Sequence, residues 1–259
     1  MKKTLTLIGF MLLAVVTFAQ DKVYTVIEFM KVNADQDAAY LETENFWEKI
    51  HEQRIKNGDL VSWELWSLKP GGEDQGYQYI TISTYKDRVK MFADWGDMTA
   101  LAKKAFPKMT DEEIRQKFDD TNKTRNLAIR DYLEQIDRTD DNYDYPPGTV
   151  ATITMMKATS ENASAYEKAE MEFFKPSHQT EIEKGQRASW KFFRFVSPTG
   201  SDTYASHITM NVYKDYAQVF SAEEDPVKMT EEQQKIFNDN VATREMKYVH
   251  MATLLKRVD

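Results

Sequence analysis

Residues 51–66 read HEQRIKNGDLVSWELW, and the same pattern returns at 178–193 as HQTEIEKGQRASWKFF. Each stretch opens on His and carries Ile four residues on, Gly seven on and a Ser-Trp pair eleven on. Working outward, Ala39-Tyr40 matches Ala165-Tyr166, Glu44 matches Glu170 and Phe46 matches Phe173. Downstream, Tyr85-Lys86-Asp87 matches Tyr213-Lys214-Asp215, and Thr124-Arg125 matches Thr243-Arg244. The offset between matched residues drifts from 126 to 128 and then falls to 119, so a few short insertions separate the halves. Solenoid repeats run roughly 20 to 50 residues, so a period this long signals a duplicated domain.

Each half reads in the same order. A run rich in β-branched and aromatic residues (23–31 and 150–157) suits a strand. A helical stretch follows (34–56 and 161–184), with Gly58 and Gly185 as stop signals. Pro176, inside the second of these stretches, predicts a kink that the first half lacks. Two strands then form a hairpin: 61–68 with 77–85, and 188–196 with 204–213. The next helix carries a capping box, Thr110 to Glu113 in one half and Thr230 to Gln233 in the other. A last strand closes each half, near 126–136 and 245–255.

The resulting βαββαβ order is ferredoxin-like, and the fold class is α+β. Boundaries follow as a signal segment at 1–19, a first unit at 20–138, a linker at 139–148 (TDDNYDYPPG) and a second unit at 149–259. Two such units in tandem, each with a His-ended helix, a Gly and a Trp-bearing second strand, resemble the dimeric α/β-barrel superfamily. That superfamily includes antibiotic-biosynthesis-monooxygenase-like, EthD-like and NIPSNAP-like proteins. The resemblance implies one barrel formed by the chain's own halves, an intramolecular pseudo-dimer, with ligand held between helices and sheet. It also implies that a monomer suffices.

The first 19 residues have a basic start at Lys2 and Lys3 and an apolar run from Leu5 to Val16, which reads as a secretory signal. Export to a bacterial periplasm or the exterior is expected, with no membrane association once the signal is removed. Removing Lys2 and Lys3 takes the formal charge from −8 to −10. So acidic a chain repels phosphate backbones, and nucleic acid is not an expected partner. With no cysteine, disulfides, thiolate metal sites and a Cys nucleophile are excluded. Dinucleotide, Walker, HExxH and GxSxG motifs are also absent.

Helical spacing puts Tyr40, Glu44, Trp47 and His51 on one stripe, and Tyr166, Glu170, Phe174 and His178 on its counterpart. Strand alternation puts Tyr79, Thr81, Ser83 and Tyr85 on one face with Ile80 and Ile82 on the other; His207, Thr209, Asn211 and Tyr213 repeat the first face. The polar-aromatic face is expected under the helices and the aliphatic face inside the barrel, the reverse being the alternative. Asp131 matches His250 in the last strands. Ligand-binding candidates are therefore Tyr40, Glu44, Trp47, Tyr79, Asp131, Tyr166, Glu170, Phe174, His207 and His250. His51 and His178 are either general bases or helix-end caps.

His178, His207 and His250, with Glu170, form the candidate metal set, for zinc, copper, iron or haem iron. No short ligand spacing such as HxxxH supports it, and no cofactor is expected. Three functions stay open. One is a secreted protein binding a small hydrophobic or aromatic molecule. The second is a cofactor-independent oxygenase or isomerase, and the third is a structural or partner-binding protein.

Overall fold

Eight strands of alternating polarity bend into a single closed antiparallel barrel in the computed structural model, which describes residues 22–69, 75–93, 96–221 and 229–259. The expected signal segment lies outside the described residues, as does part of the first hairpin connection. The strands are β1 (Val23–Lys31), β2 (Ser62–Lys69), β3 (Tyr79–Tyr85), β4 (Asn126–Arg138), β5 (Val150–Lys157), β6 (Ser189–Ser197), β7 (His207–Tyr213) and β8 (Glu245–Val258). Their order around the ring is β1-β3-β2-β8-β5-β7-β6-β4. Each half thus contributes four neighbouring strands in the same internal order, and the halves join where β2 pairs with β8 and β4 with β6. Closure leaves no unpaired strand edge among the described residues, where an open sheet of this length would expose two.

Alternation along each strand builds two apolar layers. Ile27, Phe29, Trp66, Ile80, Ile153 and Ile208 fill the inside of the barrel. On the outer face Val26, Met30, Trp63, Leu65 and Tyr85 pack beneath α1 (Asp37–Lys56) together with Tyr40. The aliphatic face of β3 and β7 therefore lies inside and the polar-aromatic face outside, as expected.

Around the barrel lie α2 (Arg88–Phe92), α3 (Met98–Ala105) and α4 (Asp111–Thr124) from the first half. From the second come α5 (Ala163–Lys168), α6 (Lys175–Glu183), α7 (Tyr216–Ser221) and α8 (Glu231–Val241). Both capping boxes form, with Thr110 and Thr230 each accepting from the backbone N–H three residues on. Among the described residues, no helix is long and apolar enough to cross a membrane.

The kink expected at Pro176 takes a different form. Between α5 and α6 the chain continues as a π-helical turn, Ala169–Phe174, and Pro176 sits in the first turn of α6. A proline removes one i→i−4 bond and crowds the carbonyl four residues back; a wider turn just before it relieves both. The same turn absorbs one extra residue. The match between halves is offset by 126 at Glu44 and Glu170 but by 127 at Phe46 and Phe173, a step that falls inside the π turn. The added residue is thereby bulged out, and His178 keeps the facing that His51 has.

Both long helical stretches end in the same way. Gly58 donates to Ile55 O and Asp59 to Arg54 O (each 2.9 Å); Gly185 donates to Ile182 O (2.9 Å) and Gln186 to Glu181 O (2.8 Å). This paired 5→2 and 6→1 bonding needs a left-handed residue at the glycine, and φ is +74° at Gly58 and +73° at Gly185. Gly58→Ala and Gly185→Ala are each expected to lower stability by about 1 kcal/mol in urea denaturation, since an added Cβ meets open space and the cost is backbone strain alone.

Candidate ligand-binding site

Beneath α1 the predicted stripe is buried: Tyr40, Glu44 and His51 all lie against the sheet side of the helix. Tyr40 is fully buried, and the Glu44 carboxylate pairs with Arg125, which enters β4, at 3.0 Å. Burial pushes the Glu44 carboxyl up to about 7, against the pull of the Arg125 guanidinium. Burial, then the Glu44 charge, raises the Tyr40 phenol. His51 stacks on Trp63 at 4.9 Å, and its Nδ1 lies 3.3 Å from Nη1 of Arg54. Burial first and the Arg54 charge second hold its pKa well below the usual imidazole value, so the ring is neutral. The Tyr79 hydroxyl donates to Asp37 (2.9 Å) at the start of the helix.

The second half repeats the arrangement. Glu170 faces Arg244 at 3.8 Å, and the Arg244 guanidinium lies over the rings of Tyr166 (5.5 Å) and Phe174 (4.8 Å). His178 rests on Trp190 at 5.3 Å, with Glu181 3.8 Å from Nδ1. Burial lowers its pKa, while Glu181 works in the opposite direction.

Trp47 stacks on His51 at 6.0 Å and also reaches α4, donating from Nε1 to Thr121 (2.9 Å); Phe174, under Arg244, also meets Phe237 of α8 at 6.0 Å. Two other predicted residues face elsewhere. Asp131 and His250 point into the barrel, since their register partners are Ile27 and Ile153, both interior. There Tyr204 donates to Asp131 and Tyr77 lies 3.4 Å from His250, so each hairpin tyrosine reaches the last strand of the other half. Burial lifts Asp131 to about 6. His250 is thus separated by the sheet from His178 and His207, and the three imidazoles do not meet. Among the described residues no group of three His, Asp or Glu side chains is placed to hold a metal ion.

His207 is the histidine beside open space. It lies on the outer face of β7, with Nδ1 2.9 Å from Ser206 Oγ and Nε2 3.2 Å from Glu167 Oε1 on α5. Arg194 holds the same carboxylate at 3.0 Å, and the His207 bond leads the causes that lower the Glu167 pKa. With Nε2 protonated, one chain runs from Ser206 O–H to Nδ1 and from Nε2–H to Glu167. Next to it a cavity of about 540 Å³ opens between the end of β5, the start of α5 and the β6–β7 hairpin. Ala158, Ala163, Phe195, Pro198 and Ala205 line it alongside the hydroxyls of Thr159, Ser160 and Ser206.

Two small side chains open this corner. Where the first half has Val32 and Gln78, the second has Ala158 and Ser206; Gln78 Oε1 accepts from Val32 N–H (2.7 Å) as Ser206 Oγ accepts from Ala158 N–H (2.9 Å). The smaller pair keeps the backbone bond and vacates the volume. Sequence reasoning missed Ser206 and Glu167, which have no like counterparts in the first half, where Gln78 and Leu41 stand. Arg125 and Arg244 were visible only as a matched Thr-Arg pair.

No protein-family profile matches the sequence, and no curated protein does either. Solved structures do match the fold. A candidate monooxygenase from Fusobacterium nucleatum is 10% identical, with 93% of this chain and 95% of that one covered at a TM-score of 0.56. An anthrone oxidase-like protein is also 10% identical, with 93% and 94% covered at a TM-score of 0.53. At such identities the likeness is one of fold: the chain has the dimeric α/β-barrel architecture.

Glu44 yields a pH prediction. Its folded pKa is raised, so its protonated form is favoured by folding, and its contribution is fully present below about 4.5 and lost as pH rises through about 7. Urea denaturation across that window is expected to show wild type losing stability relative to Glu44→Gln, by something of the order of 3 kcal/mol. Parallel curves for the two proteins would contradict the assignment.

Proposed function

We propose that this chain binds a small, largely apolar organic molecule in the cavity beside His207. The cavity itself carries the reading. It is of ordinary ligand-site size, its walls are mostly apolar, and a few hydroxyls and one imidazole converge on it. Its cations are already engaged. Lys157 donates to Gly200 O (3.1 Å) and Thr203 O (2.7 Å), and Arg194 pairs with Glu167 and Glu134. A neutral ligand, aromatic or aliphatic, therefore fits better than an anion.

A catalytic version, the cofactor-independent oxygenase or isomerase, is favoured by the Ser206–His207–Glu167 chain. It moves the general base from His51 and His178 to His207. His51 is enclosed between α1 and Trp63, whereas His207 adjoins the cavity, its ring oriented by Glu167 at 3.2 Å from Nε2. Proteins described as monooxygenase and anthrone oxidase-like share this fold, which is compatible with that chemistry and no more.

The wider reading is a tandem duplication of a ferredoxin-like unit, acting as a monomeric pseudo-dimer and exported by its first 19 residues. The matched strand order of the halves and the paired Tyr–Glu–Arg and His–Trp contacts support the duplication.

The test is a saturation-transfer NMR screen of neutral aromatic and aliphatic fragments. Hits are expected on wild type and on His51→Gln, and are expected to vanish in Ala163→Trp, which fills the cavity from the start of α5. Hits that survive Ala163→Trp unchanged would place the ligand elsewhere and overturn the reading.

A further inference from the structure

The barrel has a second concavity, on the inner face of the sheet where the His207 cavity lies on the outer. The connection between the halves does more than join them. It lays Tyr145 across one mouth of the barrel, 4% exposed, with its hydroxyl donating to Ser189 Oγ at 2.9 Å. Tyr145 has φ +53°, and it is the non-glycine residue that the chain holds in the left-handed region among those described. Such a conformation persists only where the surroundings over-determine it. Here the surroundings are cationic: Lys191 Nζ lies 4.3 Å from the ring centroid and the Arg257 guanidinium 4.9 Å.

Beside this tyrosine, inside the mouth, is a cavity of about 190 Å³. Its floor is the barrel interior, with Ile82, Ile153, Phe193 and Met210. Its polar lining includes Ser62, Gln135, Arg138, Lys191, Arg257 and the single carboxylate of Glu64. Three cations thus meet one anion, in a chain whose net formal charge is −8.

Those cations are incompletely satisfied. Arg257 Nη2 donates to Asp259 (2.8 Å), but Nη1 is 3.7 Å from Glu64, and both Nε and Nη1 are buried with no hydrogen-bond acceptor. Glu64 is itself engaged, accepting from Trp66 Nε1 at 3.0 Å. No carboxylate among the described residues lies within ion-pair distance of Lys191. A buried guanidinium N–H without an acceptor is costly, and a planar carboxylate is the acceptor its fork matches best.

We propose that this mouth of the barrel binds a short-chain organic carboxylate, with its head between Lys191 and Arg257 and its apolar tail in the barrel interior. The chemistry selects among anions. Inorganic phosphate would meet the cations but leave the apolar floor unused, and an alcohol would cover the floor but leave the guanidinium unsatisfied. The volume selects for size, since it falls below the roughly 300 Å³ at which sites for drug-sized ligands begin. Only a few carbons fit.

The experiment titrates the full chain with acetate, butyrate and hexanoate at constant ionic strength, following the Trp66 indole N–H by NMR. Hexanol and inorganic phosphate are the controls. Affinity is expected to rise about fourfold per added methylene until the cavity fills, as about 0.8 kcal/mol per buried CH₂ implies. Hexanoate is expected to bind at least tenfold more tightly than either control, an advantage Lys191→Met should abolish. If that variant fails to fold, Arg138→Gln, at an exposed position on the rim, is expected to weaken hexanoate severalfold and leave hexanol unchanged. The proposal is overturned if hexanoate leaves the Trp66 signal unmoved well above millimolar concentration. It is equally overturned if hexanol or phosphate binds as tightly, or if neither variant affects hexanoate.

Discussion

The pairing of β2 with β8 and of β4 with β6 is the constraint on which everything else in the molecule rests. Each half, taken alone, is a four-stranded sheet with two bare edges and one apolar face, and neither the edges nor the face is stable in water. Joining the halves settles both at once. The edges hydrogen-bond to one another, and the two apolar faces become the inside of one barrel around Trp66, Ile80, Ile153 and Ile208. The outer faces are then left for the helices, so any ligand site must lie between helix and sheet or at a mouth of the barrel.

Once the barrel is closed, the two halves can differ where they do not carry closure. The helix-to-sheet layer shows this. Tyr40, Glu44 and Arg125 recur as Tyr166, Glu170 and Arg244, and His51 on Trp63 recurs as His178 on Trp190. These contacts clamp a long helix to its sheet. The open corner lies where the second half has the smaller side chains of Ala158 and Ser206, and has Glu167 against His207.

Much of this was legible in the sequence, for a physical reason. Strand alternation and helix periodicity are local, so the faces of β3 and β7, the glycine stops and both capping boxes could be read from spacing alone. The repeat then fixed the order of elements twice over. What could not be read was which way a residue in a long strand points after a bulge: both β4 and β8 shift register, and Asp131 and His250 turn inward. The stripe on α1 had the same difficulty, because periodicity places Trp47 near His51 without saying that α4 claims its indole. Pro176 signalled a disturbance, but the π turn that resolves it is explained by the one-residue offset between halves. Ser206 and Glu167 left no trace in the repeat, since a site built by departing from symmetry is invisible to an argument built on symmetry.

The closure itself can be trapped directly, because the chain has no cysteine of its own. Ser67 and Thr253 are register partners across the β2–β8 join. In the double variant Ser67→Cys, Thr253→Cys, mild oxidation should give a single disulfide within one chain, so that the denatured, unreduced protein keeps monomer mass and reports no free thiol. Covalent dimers, or two thiols that stay free under the same oxidation, would contradict a barrel closed by the chain's own halves.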